Sequence, residues 1–182
     1  MRMLSLLALG FFALLAACDA TISEEVVGQS AVEPETALPV PDIDDLGPGE
    51  TVTVVHITDG DTVVIMRGGQ PDRLRLIGID TPETAQSPRG EEPFANEATE
   101  ALRLLLRNTE VTLRLDVGER DRFGRLLGYI HSSDGTFVNA EMVRRGWARP
   151  VTVPPNVHFA DEFARLAQEA REAGRGIWQP AL

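Results

Sequence analysis

Among 182 residues there is one cysteine, Cys18, no lysine and one tyrosine. A lone cysteine excludes a disulfide within the chain, and beyond Cys18 no thiol exists to act as nucleophile or zinc ligand. The three histidines, His56, His131 and His158, are scattered too widely for a zinc spacing. Long apolar runs are also lacking. The longest, Leu4 to Ala17, has 14 residues, short of the roughly 20 that a membrane-spanning helix needs. With lysine missing, every basic side chain is arginine, whose planar fork suits phosphate and carboxylate better than a point charge does.

What the N-terminus does contain is Arg2 ahead of that apolar run, the layout of an export signal. The run closes on Leu15-Ala16-Ala17-Cys18, which resembles a bacterial lipoprotein box, where cleavage precedes an acylated cysteine. Residues 1–17 are therefore expected to be a signal peptide, with Cys18 as the lipidated residue. Asp19 is similar to the signal that retains such proteins at the inner membrane. The expected location is extracytoplasmic, on the periplasmic side of that membrane, with secretion as the alternative. Residues 19–50 carry nine acids and no base, mixed with Pro, Gly and Ser, and hold most of the net charge of −11. Such a segment buries too little to offset the entropy of ordering, so 18–50 reads as an acidic, Pro-rich flexible tether to a domain at 51–182.

From residue 51 the pattern becomes regular. "TVTVVHI", "DTVVIMR", "DRLRLIGI", "EVTLRLDV" and "GRLLGYIH" are five short segments rich in Val, Ile and Leu, separated by turn residues. In Arg73-Leu74-Arg75-Leu76 the leucines take one face and the arginines the other. Three helices are expected: one through "PFANEATEALRLLLRN" with a stripe of Phe94, Ala98, Leu102 and Leu105, a short one with Asn139 as N-cap, and one through "HFADEFARLAQEAREAG" with Phe159, Phe163, Leu166 and Ala170 on one side. The fold class is α+β, mainly β, a small barrel carrying helices outside it.

Three turns between these segments carry charge. Asp59-Gly60-Asp61-Thr62 is a strong hairpin signal in its own right, so its carboxylates serve either a turn or a cation. Asp80-Thr81-Pro82-Glu83 ends a strand where Pro82 holds Thr81 away from helix. Arg125 opens a strand just after a glycine turn. Taken singly, Arg75 reads as a solvated strand residue like Arg73, Arg125 as a partner of Asp121 or Glu119, and Glu83 as a surface acid.

Asp59-Gly60-Asp61-Thr62, Arg75 five residues before Asp80-Thr81-Pro82-Glu83, Asp121-Arg122-Phe123-Gly124-Arg125, and Val138-Asn139 follow one another in an order that resembles the thermonuclease, or staphylococcal nuclease-like, family. The resemblance implies a five-stranded OB-fold barrel with three packed helices and a calcium-dependent nuclease acting on DNA and RNA. It makes Asp61, Asp80 and the Thr81 backbone carbonyl calcium ligands, with Asp59 in support. Arg75 and Arg125 become phosphate-binding residues, and Glu83 stands near the attacking water. A monomer with no obligate protein partner is expected, and the lipoprotein box places its membrane anchor at Cys18. The alternatives are a noncatalytic OB-fold nucleic-acid-binding module or an envelope interaction protein. Two departures stand out. "RPVTVPPNVH" has no tyrosine where the family stacks nucleosides, and Phe123 replaces a common tyrosine.

Overall fold

The computed structural model describes residues 43–106 and 110–180. The signal segment, Cys18, Asp19 and most of the tether lie outside the described residues. Five strands close a barrel in the order β1-β2-β3-β6-β5. In chain order they are β1 (Glu50–Ile57), β2 (Thr62–Arg67), β3 (Gln70–Leu76), β5 (Glu110–Arg114) and β6 (Leu126–Ser132), with the two-residue β4 (Ile79–Asp80) between β3 and β5. All barrel pairings are antiparallel except β3 with β6. Three helices pack on this barrel: α1 (Ala95–Leu105), α2 (Val138–Arg144) and α3 (Ala160–Glu172). The architecture is the α+β, five-stranded OB-fold barrel with three helices.

The alternation seen in the sequence sets the barrel interior. Val52, Val54, Val63, Ile65, Leu74, Leu76, Val111, Leu113, Leu126 and Ile130 are all buried, while the residues between them face outward or toward the site. The α3 stripe is buried in full, and its Phe159 meets Tyr129 and Phe137 edge to face, with centroids 4.8 Å apart in each pair.

Three local expectations are corrected. The strand expected at 72–79 breaks, because Gly78 takes a left-handed φ of 81°. Ile79 and Asp80 then pair separately with Pro150 and Arg149 of β7 (Arg149–Pro150), so Asp80 hangs on a ribbon outside the barrel. Asn139 is not the N-cap of α2. That position falls to Phe137, and Asn139 is fully buried, accepting the Ile130 amide at 3.1 Å and donating to the Ile77 carbonyl at 3.0 Å. A buried amide that satisfies main-chain groups of two barrel segments holds α2 against them. Finally, α1 begins after Phe94, whose φ is 71°, rather than at Pro93.

Candidate active site

The hairpin reading of Asp59-Gly60-Asp61-Thr62 holds. The amides of Thr58 and Asp59 donate to the Thr62 carbonyl at 2.9 and 3.3 Å, and the Asp59 carboxylate accepts the Asp61 amide at 3.0 Å. The turn also delivers a carboxylate inward, for Asp61 is only 6% exposed. Its Oδ2 accepts the Thr81 amide at 3.0 Å and the Thr81 hydroxyl at 3.1 Å, and its Oδ1 accepts the Thr62 hydroxyl at 3.1 Å. This close approach depends on Gly60, since a Cβ there would lie 2.8 Å from the Thr81 hydroxyl oxygen. The two readings of the segment are one structure, a turn tight enough to press Asp61 against the Asp80-Thr81 segment.

Arg75 stands opposite Thr62 in the β2–β3 register. Its Nη1 lies 2.8 Å from Asp61 Oδ2 and its Nη2 3.1 Å from Asp80 Oδ1, and it also donates to the Leu76 carbonyl. One guanidinium thus spans both carboxylates. Burial pushes the Asp61 carboxyl up, to about 6; Arg75 pulls it down, and the Asp59 carboxylate adds to the rise. Asp59, Asp61 and Asp80 thus set three carboxylates beside the Arg75 guanidinium, an oxygen-rich corner of the kind that a hard cation uses.

Arg125 approaches from the start of β6. Its Nε donates to Asp121 Oδ2 at 2.7 Å, and its ring neighbour is Phe123, 5.7 Å away. Burial opposes ionisation of Asp121, yet the hydrogen bonds from the Arg125 side chain and from the amides of Arg125 and Phe123 hold its carboxyl below the ordinary range. The pairing with Asp121 occurs as the bland reading expected, but it uses only Nε. Both Nη groups remain without a partner among the described residues. Glu83 pairs with Arg89 of the following loop, which returns to fasten the Glu92 amide to the Glu83 carbonyl at 2.8 Å.

Asp59, Asp61, Arg75, Asp80, Thr81, Glu83 and Arg125 all line one polar cavity of about 130 Å³. Every site residue expected within the described part of the chain is present there. Among the described residues no group of three or more His, Cys, Asp or Glu side chains is arranged to hold a metal. The donor set expected here has two carboxylates and a carbonyl, all oxygen, which suits calcium with water completing a flexible shell. Beside this cavity opens a larger, mostly apolar one of about 550 Å³, walled by Ile79, Phe123, Val151 and Val153. The valines stand in the stretch that has no tyrosine.

The model of the family described as "Staphylococcal nuclease homologue" matches residues 73–180. A thermonuclease of Staphylococcus intermedius is 34% identical over 131 residues, covering 72% of this chain and 77% of that protein. This chain belongs to the staphylococcal nuclease family. A thermonuclease of Staphylococcus hyicus is 32% identical over 129 residues, 71% of this chain and 76% of the relative. Endonuclease YncB of Bacillus subtilis is 33% identical over 129 residues, 70% of this chain and 61% of the relative. Membership of this family supports a nuclease-type enzyme acting on nucleic acid.

Some of the site's working parts escape a reading of this staphylococcal nuclease-like sequence. The hydroxyls of Thr62 and Thr81, which hold the Asp61 carboxylate, look like ordinary strand and turn residues.

Proposed function

We propose that the protein is a calcium-dependent endonuclease, a phosphodiesterase that hydrolyses DNA and RNA to 3′-phosphate and 5′-hydroxyl ends. The observation that carries this reading is the convergence of Asp61, Asp80, Glu83, Arg75 and Arg125 on one cavity. Asp61, Asp80 and the Thr81 carbonyl would hold calcium, supported by Asp59; when bound, it supplies cation density to the phosphate oxygens. Arg125 is poised to donate two parallel Nη bonds to the phosphate, since Asp121 fixes its Nε and leaves both Nη groups open. Arg75 adds charge on the other side. Neither arginine can act as a general acid, because the guanidinium stays protonated. Glu83 orients the attacking water or accepts its proton. Water attacks phosphorus in line, the P–O5′ bond breaks, and the departing 5′ oxygen takes a proton from solvent.

A binding module without catalysis uses an open arginine fork but has no use for the Glu83 carboxylate in the same small cavity, which favours the enzyme. The neighbouring apolar cavity would receive a base. With valines in place of tyrosines there, stacking that contributes roughly 1–3 kcal/mol per base elsewhere rests on Phe123 alone, so weak base preference is expected. The test is the rate at which the purified protein degrades single-stranded DNA, duplex DNA and RNA in calcium and in chelator. Calcium-dependent cleavage is expected, and equal intact substrate in both conditions would refute it.

We further propose that the protein acts outside the cytoplasm, anchored through acylated Cys18. On this reading attachment rests on lipid; among the described residues no helix is long and apolar enough to cross a membrane. Acyl chains contribute about 0.8 kcal/mol per buried CH₂. Cys18→Ser is expected to abolish acylation and release the protein from the membrane fraction. A Cys18→Ser protein still sedimenting with membranes, together with an unmodified N-terminus in the wild type, would contradict the anchor.

A further inference from the structure

A third cavity, of about 570 Å³, also borders Arg125 and is lined by Arg73 on β3 and by the loop that carries Ser87 and Arg89. Arg125 lines this cavity, the polar one and the apolar one, and Phe123 lines this one and the apolar one. The three cavities therefore adjoin at Arg125. The third is large enough to receive a small-molecule-sized group. Resting on the nuclease reading of the site, we propose that it holds the sugar-phosphate backbone of a single strand next to the scissile phosphate, with Arg73 as its phosphate contact. Arg73 is thus a residue that sets preference for long substrates.

Three observations support this. Arg73 is exposed, and among the described residues no ion pair, hydrogen bond or ring contact engages its side chain. On the same wall, Arg89 is paired with Glu83 and Arg125 with Asp121. Asp59 and Glu83 also line this cavity, yet neither pairs with Arg73, and a guanidinium left without an ion pair is available to an anion arriving from outside. The wall also combines the hydroxyls of Thr58 and Ser87 with the ring of Phe123, the mixture of polar donors and stacking face that suits an unpaired strand. The register places Arg73 across from Val64 and Arg75 across from Thr62. Successive same-face residues on a strand lie about 6.5–7 Å apart, close to the spacing of consecutive phosphates along an extended strand. One arginine at the cleaved phosphate and one at a neighbour therefore match a chain running along β3.

The test compares wild type with Arg73→Ala, Arg73→Lys and the exposed control Arg103→Ala on helix α1. Binding of a fluorescent single-stranded 12-mer is measured by anisotropy in chelator, across salt concentrations, and cleavage of the 12-mer and of a thymidine 5′-(p-nitrophenyl phosphate) ester is measured in calcium. Arg73→Ala is expected to raise Kd and KM for the 12-mer about 5- to 10-fold, leave kcat and the ester unchanged, and flatten the slope of log Kd against log salt by about 0.7. Arg73→Lys restores most of the affinity, and Arg103→Ala matches wild type. If the wild type binds but cleaves neither substrate, the nuclease reading fails, and the salt slope still decides the role of Arg73. If the wild type cleaves and Arg73→Ala behaves as wild type on the 12-mer, or loses equally on both substrates, the proposal is overturned. Failure of the wild type to bind the 12-mer overturns it as well.

Discussion

Arg125→Lys is expected to lower turnover by on the order of 10², the lower end for loss of one preorganised transition-state donor, with little change in melting temperature. Lysine keeps the positive charge and can still approach Asp121. It cannot hold Asp121 through one nitrogen while presenting two more, side by side, to a phosphate. That division of labour is visible in the structure, where Nε is 2.7 Å from Asp121 and both Nη groups are open. Arg75→Lys should also lose activity but is a less clean probe. Its guanidinium spans Asp61, Asp80 and the Leu76 carbonyl, so its replacement disturbs the carboxylates as well as the phosphate contact. Steady-state kinetics on a labelled oligonucleotide at saturating calcium, with melting curves alongside, separates the two. Near-wild-type turnover in Arg125→Lys would leave Arg125 as an ordinary surface pair.

Asp61→Asn is expected to abolish calcium binding and yet raise the stability of the metal-free protein. The Asp61 carboxyl is buried beside Asp59 and is held at about 6 rather than 3.8. A carboxyl raised in the folded state binds protons more tightly there than in the unfolded chain. Its favourable contribution is present in full below pH 4 and fades as pH rises through about 6. Above that, the folded chain keeps an ionised, poorly solvated group. At about 1.4 kcal/mol per tenfold change in the protonation equilibrium, the cost at neutral pH is about 3 kcal/mol, or on the order of 10 °C in melting temperature for a domain of this size. Asparagine removes the charge and still offers an oxygen to Thr81. Melting curves in chelator from pH 4 to 8 should show the Asp61→Asn advantage growing up to about pH 6 and then levelling. A variant less stable than wild type at pH 8 would show that Asp61 is a net structural support rather than a charge retained for a cation.

The barrel was legible because its strands keep a period of two and its third helix a clean stripe; both patterns are set by burial, which a single sequence records directly. Asn139 was misplaced because a polar residue ahead of an apolar run has the signature of an N-cap, whereas its burial depends on Ile77 and Ile130 arriving from distant segments. The ribbon of β4 with β7 was missed for the same reason. Two residues from each side leave no periodic signal, and the break comes from one left-handed glycine. At the site, the acids and arginines could be named from ordered motifs. What no motif carried was the geometry around them: Thr81 gripping Asp61, Asp121 holding Nε of Arg125, and, nearby, the Arg73 side chain left without an ion pair at the edge of a cavity.

The chemistry proposed for the cavity of Asp61, Asp80, Glu83, Arg75 and Arg125 is tested most directly by the ends it leaves. A single-stranded oligonucleotide incubated with the purified protein in calcium, and analysed by mass spectrometry, is expected to yield fragments with 3′-phosphate and 5′-hydroxyl ends, and to remain whole in chelator. An oligonucleotide left intact in calcium, or fragments with 5′-phosphate ends, would contradict that chemistry.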